Sequence, residues 1–202
     1  MRNTIIILVL IAIIGCGKKE TETTGESATV QLRSKADAIV GMYMKELKGE
    51  LMTAMQDGPA NAISVCSEQA PMITEKYSQN GWTISRVSDK NRNSGNRVDE
   101  HQAVVLALFA DTLQKLDHFD EWLVAGDSTF VFYKPIRTNP LCLKCHGTME
   151  NLDTEVVSVL KEKYPEDMAV GYESGDLRGM FVVEAKTVSG VENLLKAFSD
   201  SL

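Results

Sequence analysis

The chain lacks a surplus of basic residues, a long apolar run and any internal repeat. Its 21 Lys and Arg are outnumbered by 28 Asp and Glu, which gives a net charge of −7 at pH 7. A surface of that sign argues against nucleic acid and anionic membranes as partners, because both would repel it. The apolar run at residues 5–14 is too short to span a bilayer as a stable helix, which needs about 20 residues.

The first residues instead have the pattern of a bacterial lipoprotein signal. Arg2 supplies a positive charge, residues 5–14 form a short apolar core, and Gly15 is a small residue directly before Cys16. This pattern predicts cleavage before Cys16 and lipidation of its thiol, with an uncleaved leader or an ordinary membrane anchor as the alternative. The protein is therefore expected at the bacterial cell envelope, on the periplasmic or extracytoplasmic side, held to the membrane through lipid alone.

Composition divides the chain into three parts. Residues 1–15 are the predicted signal peptide, and residues 16–28 contain the lipidated cysteine and a polar stretch without large apolar side chains. Such a stretch cannot bury a core and is predicted to be a flexible tether. Residues 29–202 have the length of one domain, and an apolar fraction of 44% in the whole chain supports an ordinary packed core.

The spacing of apolar residues predicts an α+β domain. Helical spacing occurs in a long N-terminal helix over residues 30–55, and again over 59–80, 98–118, 153–163 and 191–198. Strands are predicted at 82–88, 128–134 and 180–184, where β-branched and aromatic residues cluster. Asp57 is expected to cap the second helix and Pro71 to break or kink it. Because helices and strands do not alternate regularly, we expect a small antiparallel sheet flanked by helices.

Residues 142–146 carry the most specific motif of the chain. They read Cys-Leu-Lys-Cys-His, which is the C-x-x-C-H attachment signature of a c-type haem. The thiols of Cys142 and Cys145 can each add to one vinyl group of a haem, and His146 then falls under the iron as a ligand. With 4 Cys and 3 His in 202 residues, chance would place this motif in about one sequence in a thousand. The motif therefore predicts one covalently bound haem c.

Two other chemistries use a similar pair of cysteines. A thioredoxin-like redox pair usually opens a helix in a βαβ unit, and that context is missing here. A zinc site would need a fourth donor, which Cys66 could help to supply. His101 and His118 are interpreted as surface histidines rather than as metal ligands.

Cys66 is left over once Cys16 is assigned to lipid and the motif to haem. An unpaired thiol in an exported protein calls for an explanation, and a core thiol and a dimer-forming thiol are both open. The basic loop that follows the first strand is a second feature to explain. Its cations, with Arg86 before it, are candidates to bind the carboxylates of haem propionates, or they form a solvated surface; these are Arg86, Lys90, Arg92 and Arg97.

The chain resembles a bacterial family of exported c-type haem domains with a PAS-like fold, long filed as a domain of unknown function. The stretches that carry the resemblance are 58–66 with Ala70-Pro71, 86–88 through Arg92-Asn93 and Asn96, 134–136 through 142–147, and 175–179. The resemblance covers essentially the whole domain, from about residue 30 to residue 200. Ser94 departs from the pattern, because the family commonly has proline after the Arg-Asn pair.

The resemblance implies that Cys66 is an axial iron ligand opposite His146. A thiolate favours Fe(III), so the midpoint potential is expected below that of a Met/His cytochrome. The family consists of single-haem sensor or redox modules, which implies a redox or small-ligand sensor that binds CO or NO once Cys66 leaves the reduced iron. An envelope electron carrier, with an unknown redox partner protein, is the alternative. A haem enzyme is not expected, because no distal acid–base pair is evident.

Overall fold

A four-stranded antiparallel sheet forms the centre of the fold in a computed structural model that describes residues 20–115, 122–125 and 129–186. The strands are β1 (Trp82–Val87), β2 (Trp122–Ala125), β3 (Thr129–Arg137) and β4 (Leu177–Lys186), in the spatial order β1-β4-β3-β2. The last strand in the sequence therefore lies between β1 and β3. The predicted α+β class and antiparallel sheet are confirmed.

The helices precede the sheet, connect its strands and flank it. They are α1 (Glu20–Ala54), α2 (Pro59–Ser64), α3 (Ala70–Tyr77), α4 (Glu100–Lys115), α5 (Leu143–His146) and α6 (Thr154–Lys163). Two 3-10 turns cover Met55–Asp57 and Ser94–Asn96, and a π-helical segment, Val65–Gln69, joins α2 to α3. No helix among these residues is both long enough and apolar enough to cross a bilayer.

Both faces of the sheet are covered, because alternate residues of β4 point to opposite sides. Phe181 and Val183 pack with Tyr43 of α1, whose ring makes an edge contact with Phe181 at 5.6 Å between centroids. Met180 and Val182 face the other way and pack with residues of α4. A third apolar cluster joins α2 to α6; its buried members are Ala60, Ile63, Leu152, Val156 and Leu160.

The long N-terminal helix begins earlier than the sequence pattern predicts. It starts at Glu20, so residues 20–28 of the expected tether continue α1 as helix. Adding turns to an existing helix costs little, because each further residue contributes one hydrogen bond without a new nucleation step. The signal peptide, Cys16, His118 and the predicted helix at 191–198 lie outside the described residues.

Two local predictions around the second helix are wrong. Gly58, with φ of 108°, takes the N-cap position of α2, while Asp57 ends the preceding turn and accepts a hydrogen bond from Asn61 through its backbone carbonyl. The expected break at Pro71 is absent, because helix continues on both sides of this residue. The wider π-helical turn, closed by a hydrogen bond from Ala70 N to Val65 O, carries the chain directly into α3 with Pro71 in its first turn.

Strand positions agree with the sequence pattern apart from their ends and one omission. β1 matches its prediction, and β4 begins at Leu177 rather than at residue 180. The sequence does not predict strand β2, because its four residues are too few to show an alternating pattern. It pairs with β3 at the edge of the sheet.

Gly179 provides a test of how tightly β1 and β4 are held. Its φ is 154°, and a Cβ at this position would lie 2.3 Å from the carbonyl oxygen of Val87. We expect Gly179→Ala to lower the free energy of unfolding by about 2–4 kcal/mol, because the strands must separate to admit the methyl group. Urea denaturation of the two proteins measures the difference.

Gly49→Ala is the matched control. Gly49 lies in α1, and beyond its own stretch of helix nothing lies within 4 Å of the place that a methyl group would occupy. Alanine should therefore raise helix stability by about 0.5–1 kcal/mol. Equal free energies of unfolding for Gly179→Ala and wild type would contradict this expectation, because they would mean that β1 and β4 separate at little cost.

Candidate functional site

One cavity contains all four of the residues that the sequence analysis assigns to haem attachment or iron ligation. Cys66, Cys142, Cys145 and His146 line it. Most of its remaining wall is apolar, from Met44, Leu47, Leu51, Met55, Ala62, Ile63, Ile136, Leu141 and Phe181. The polar part of the wall is formed by Arg86, Ser88, Asn91, Arg92, Asn93, Asn96, Tyr164 and Arg178. Within the described part of the chain, the lining has three arginines and no carboxylate.

The motif loop is shaped by its own backbone hydrogen bonds. Asn139 Oδ1 accepts hydrogen bonds from the amides of Leu141 and Cys142, at 2.9 and 3.3 Å, which turns the chain after β3. The amide of His146 then donates to Cys142 O at 2.9 Å and closes a helical turn. This turn places Cys145 and His146 beside Cys142 at the cavity wall.

Three cysteine thiols line the cavity. Cys66, Cys142 and Cys145 are all free, with no disulfide between them. Burial raises the pKa of the Cys145 thiol, whereas a redox-active cysteine needs a lowered pKa. Among the described residues no group of three or more His, Cys, Asp and Glu side chains is arranged to hold a metal ion.

The His146 imidazole is held in the form that a metal ligand requires. Its Nδ1 lies 2.7 Å from Ala169 O, so Nδ1 carries the proton and donates to that carbonyl. Nε2 is then left with the lone pair. Burial, followed by the charges of Arg92 and Arg178, lowers the pKa of His146 well below its ordinary value and keeps the ring neutral. Tyr172 packs edge-on against the ring at 6.3 Å between centroids.

Cys66 reaches the cavity from the π-helical segment. It is half-buried, and its neighbours on the preceding helix, Ala62 and Ile63, also line the cavity. The segment is connected to α6 by an ion pair between Glu68 and Lys163 at 3.0 Å. Cys66 therefore lies on the same cavity wall as Cys142, Cys145 and His146.

The two arginines predicted from the sequence differ in their surroundings. Arg86 is half-buried, and its guanidinium lies over the ring of Tyr43 at 5.5 Å. Arg92 is buried and committed to the protein: Nε donates to Asp167 Oδ2 at 3.0 Å, and Nη2 donates to Cys145 O at 2.6 Å. Neither Lys90 nor Arg97 lines the cavity.

Sequence reasoning missed Arg178 at the start of β4. Its guanidinium lies over the ring of Tyr172 at 5.4 Å and donates to Lys90 O at 3.1 Å. Burial lowers the pKa of Arg178 from its ordinary value. Its position next to Gly179, in the stretch 175–179 that carries part of the family resemblance, was the available signal.

The neutral state of His146 predicts a pH dependence of stability in protein made without haem attachment. The pKa of His146 is lowered in the folded state, so below about pH 6.5 the unfolded chain takes up a proton that the folded chain refuses. The contribution of His146 to the free energy of unfolding is therefore complete above that pH. It is lost as the pH falls, by at most about 1.4 kcal/mol per pH unit. Urea titrations between pH 7.5 and 5 measure the slope.

His146→Asn should flatten that slope, while His101→Gln, at an exposed position on α4, should leave it unchanged. An equal slope in wild type and His146→Asn would contradict the assignment of a neutral, proton-refusing imidazole.

Comparison with known proteins places this fold and chain in a family. The solved structure of the cyanobacterial heme-protein Tll0287 matches with a TM-score of 0.57 and 21% sequence identity, covering 75% of this chain and 94% of that one. At that identity the match shows a shared fold. No curated protein matches significantly. The sequence profile of the Tll0287-like family matches residues 20–185, which confirms the resemblance predicted from the sequence, and the chain belongs to the Tll0287-like family.

Proposed function

We propose that this chain is a single-haem c-type protein of the cell envelope that senses redox state or a small ligand. Cys142 and Cys145 would hold the haem through thioethers, and His146 and Cys66 would be its axial iron ligands. The observation that carries the proposal is the cavity that all four residues line, together with the free Nε2 of His146. The solved relative is described as a heme-protein, which supports the same cofactor.

The wall of the cavity fits a flat apolar ring system with an anionic edge. Leu47, Leu51 and Phe181 provide apolar contact surface, and small Ala62 beside Cys66 permits close approach to the helix. Carboxylates of the haem would find cations and no like charge, because none of the described residues in the lining is acidic. The whole chain has a net charge of −7, so a cavity wall with cations and no carboxylate differs from the average of the protein.

Arg86 and Arg178 are the best partners for those carboxylates. Arg92 is already neutralised by Asp167, and its Nη2 donates to two backbone carbonyls, Cys145 O and Ala169 O. Arg86 and Arg178 line the cavity, and neither is in an ion pair among the described residues. We therefore keep Arg86 from the sequence prediction and replace Arg92 by Arg178 as the second propionate partner.

A bound haem would supply one-electron chemistry between Fe(III) and Fe(II). Cys66 as an anionic sulfur ligand would favour the oxidised state and lower the midpoint potential relative to Met/His ligation. Without a carboxylate in its described lining, the cavity offers no acid–base pair for substrate turnover, so an enzyme is not proposed. Lipid attachment at Cys16, which lies outside the described residues, would keep the domain at the envelope.

The position of Cys66 favours sensing. It lies in a π-helical turn, a feature that often marks functional sites, and its side chain is half-buried rather than locked in the core. A ligand on such a turn can be exchanged without unfolding the flanking helices. One observation favours an electron carrier as the second candidate: Cys142 and Leu141 are half-exposed, which would leave one haem edge near the surface for a redox partner.

Replacing Cys66 by serine tests the ligand set. Wild-type protein, made with cytochrome maturation machinery, should give low-spin absorption and EPR spectra of thiolate–imidazole ligation, because both axial positions are filled by strong donors. Cys66→Ser should lose that signature and raise the midpoint potential, since a neutral hydroxyl stabilises Fe(III) less well. Covalent haem should remain, because Cys142 and Cys145 are intact.

Ser67→Ala is the matched control, since Ser67 lies in the same π-helical turn but does not line the cavity. Its spectra should equal those of wild type. A Cys66→Ser spectrum identical to wild type would remove the thiolate from the proposal, and colourless wild-type protein would remove the haem.

Carbon monoxide separates sensor from carrier. If Cys66 yields its place on reduction, CO added to reduced protein should shift the absorption spectrum in wild type, and faster in Cys66→Ser, where no thiol competes. Stopped-flow mixing with CO measures both rates. An unchanged spectrum under CO, with rapid electron exchange to a soluble cytochrome, would instead identify a carrier.

A further inference from the structure

A buried ion pair lies directly behind the His146 imidazole. Arg92 Nε and Asp167 Oδ2 are 3.0 Å apart, and the two side chains are only 6% and 9% exposed. Taking both charges out of water costs several kcal/mol per ion, which their attraction seldom exceeds by much. A buried pair of this kind therefore need not stabilise the fold, and we ask what its hydrogen bonds hold in place.

Both ends of Ala169 are held by this pair. Asp167 Oδ1 accepts a hydrogen bond from Ala169 N at 2.8 Å, and Arg92 Nη2 donates to Ala169 O at 3.3 Å. The same carbonyl oxygen accepts the hydrogen bond from His146 Nδ1 at 2.7 Å. Arg92 and His146 therefore share one acceptor.

Arg92 also joins the two backbone segments that frame the ring. Its Nη2 donates to Cys145 O at 2.6 Å, within the attachment motif. Next to this contact, Gly171 N donates to Gly147 O at 2.8 Å, and Tyr172 N donates to His146 O at 3.0 Å. The guanidinium fork thus connects the motif to the segment that accepts the histidine proton.

We infer that Arg92 is a positioning residue that sets the strength of the His146 Nδ1–H hydrogen bond, with Asp167 holding it in place and neutralising its charge. A cation that donates to Ala169 O withdraws electron density from that oxygen and weakens it as an acceptor for the imidazole. His146 then keeps its Nδ1 proton more firmly and donates less charge through Nε2. The redox consequence rests on the proposed function, whereas the hydrogen-bond geometry does not.

Two substitutions should move the midpoint potential of the haem-loaded protein in opposite directions. Arg92→Lys keeps the charge but loses the fork, so Ala169 O becomes a stronger acceptor and the potential falls. We expect the equilibrium constant for reduction to fall by about threefold or more, which is roughly 28 mV for one electron. Asp167→Asn leaves a buried cation without its counter-charge near the iron, and the potential should rise.

Arg97→Lys is the control for the chemical change itself, because Arg97 lies exposed on the same loop. It should leave the potential within error of wild type. Equal potentials for all four proteins, or shifts of the same sign for Arg92→Lys and Asp167→Asn, would overturn the inference, since a merely structural role predicts no such split.

The same proteins made without haem attachment test the geometry independently. Nitrogen-15 NMR of the full chain should show the His146 ring protonated at Nδ1 in wild type and Arg97→Lys, with slow exchange of that proton. Arg92→Lys should change the Nδ1–H shift and exchange rate by more than the control. If haem fails to attach but the NMR difference appears, the proposed function fails and the positioning role stands; an Arg92→Lys spectrum equal to the control contradicts the role itself.

Discussion

The hydrogen bond from His146 Nδ1 to Ala169 O connects the attachment motif to the rest of the domain. It fixes which nitrogen of the ring carries the proton, and thereby which nitrogen can bind a metal. Both partners lie in the long connection between β3 and β4, so the bond depends on how that connection is closed. Thr138 N donates to Asp176 O, and Gly175 N donates to Thr138 O, each at 2.9 Å. The two ends of this connection are thus held together beside the sheet, and the residues between them form the site.

The charge around this site is opposite in sign to the net charge of the chain. The whole protein is acidic, yet the described wall of the cavity has arginines and no carboxylate. A cation in a partly buried wall costs free energy unless an anion accompanies it. Asp167 supplies that anion for Arg92, with 3.0 Å between Nε and Oδ2. The same reasoning explains why a neutral His146 is favoured, since protonation would add a further positive charge beside Arg92 and Arg178.

Sequence patterns predict local features of this protein well and distant contacts poorly. The C-x-x-C-H motif and β1 depend on neighbouring residues, so their spacing alone is sufficient. The ion pair between Arg92 and Asp167 could not be predicted from the sequence, because the two residues are 75 positions apart and no periodicity links them. The position of Arg178 could not be predicted for a related reason, because only the pairing of β4 between β1 and β3 brings this residue to the cavity.

The π-helical turn shows how one local irregularity places Cys66. In a regular α-helix, residues seven apart, such as Ile63 and Ala70, lie on nearly the same face. Here Ile63 packs with α6 while Ala70 packs with α1 and the sheet. The extra residue of the π turn rotates the chain after it by about 100° relative to α2, which lets one continuous helical stretch face two different clusters. Cys66 lies where that rotation occurs, so its access to the cavity follows from the same irregularity that accommodates Pro71.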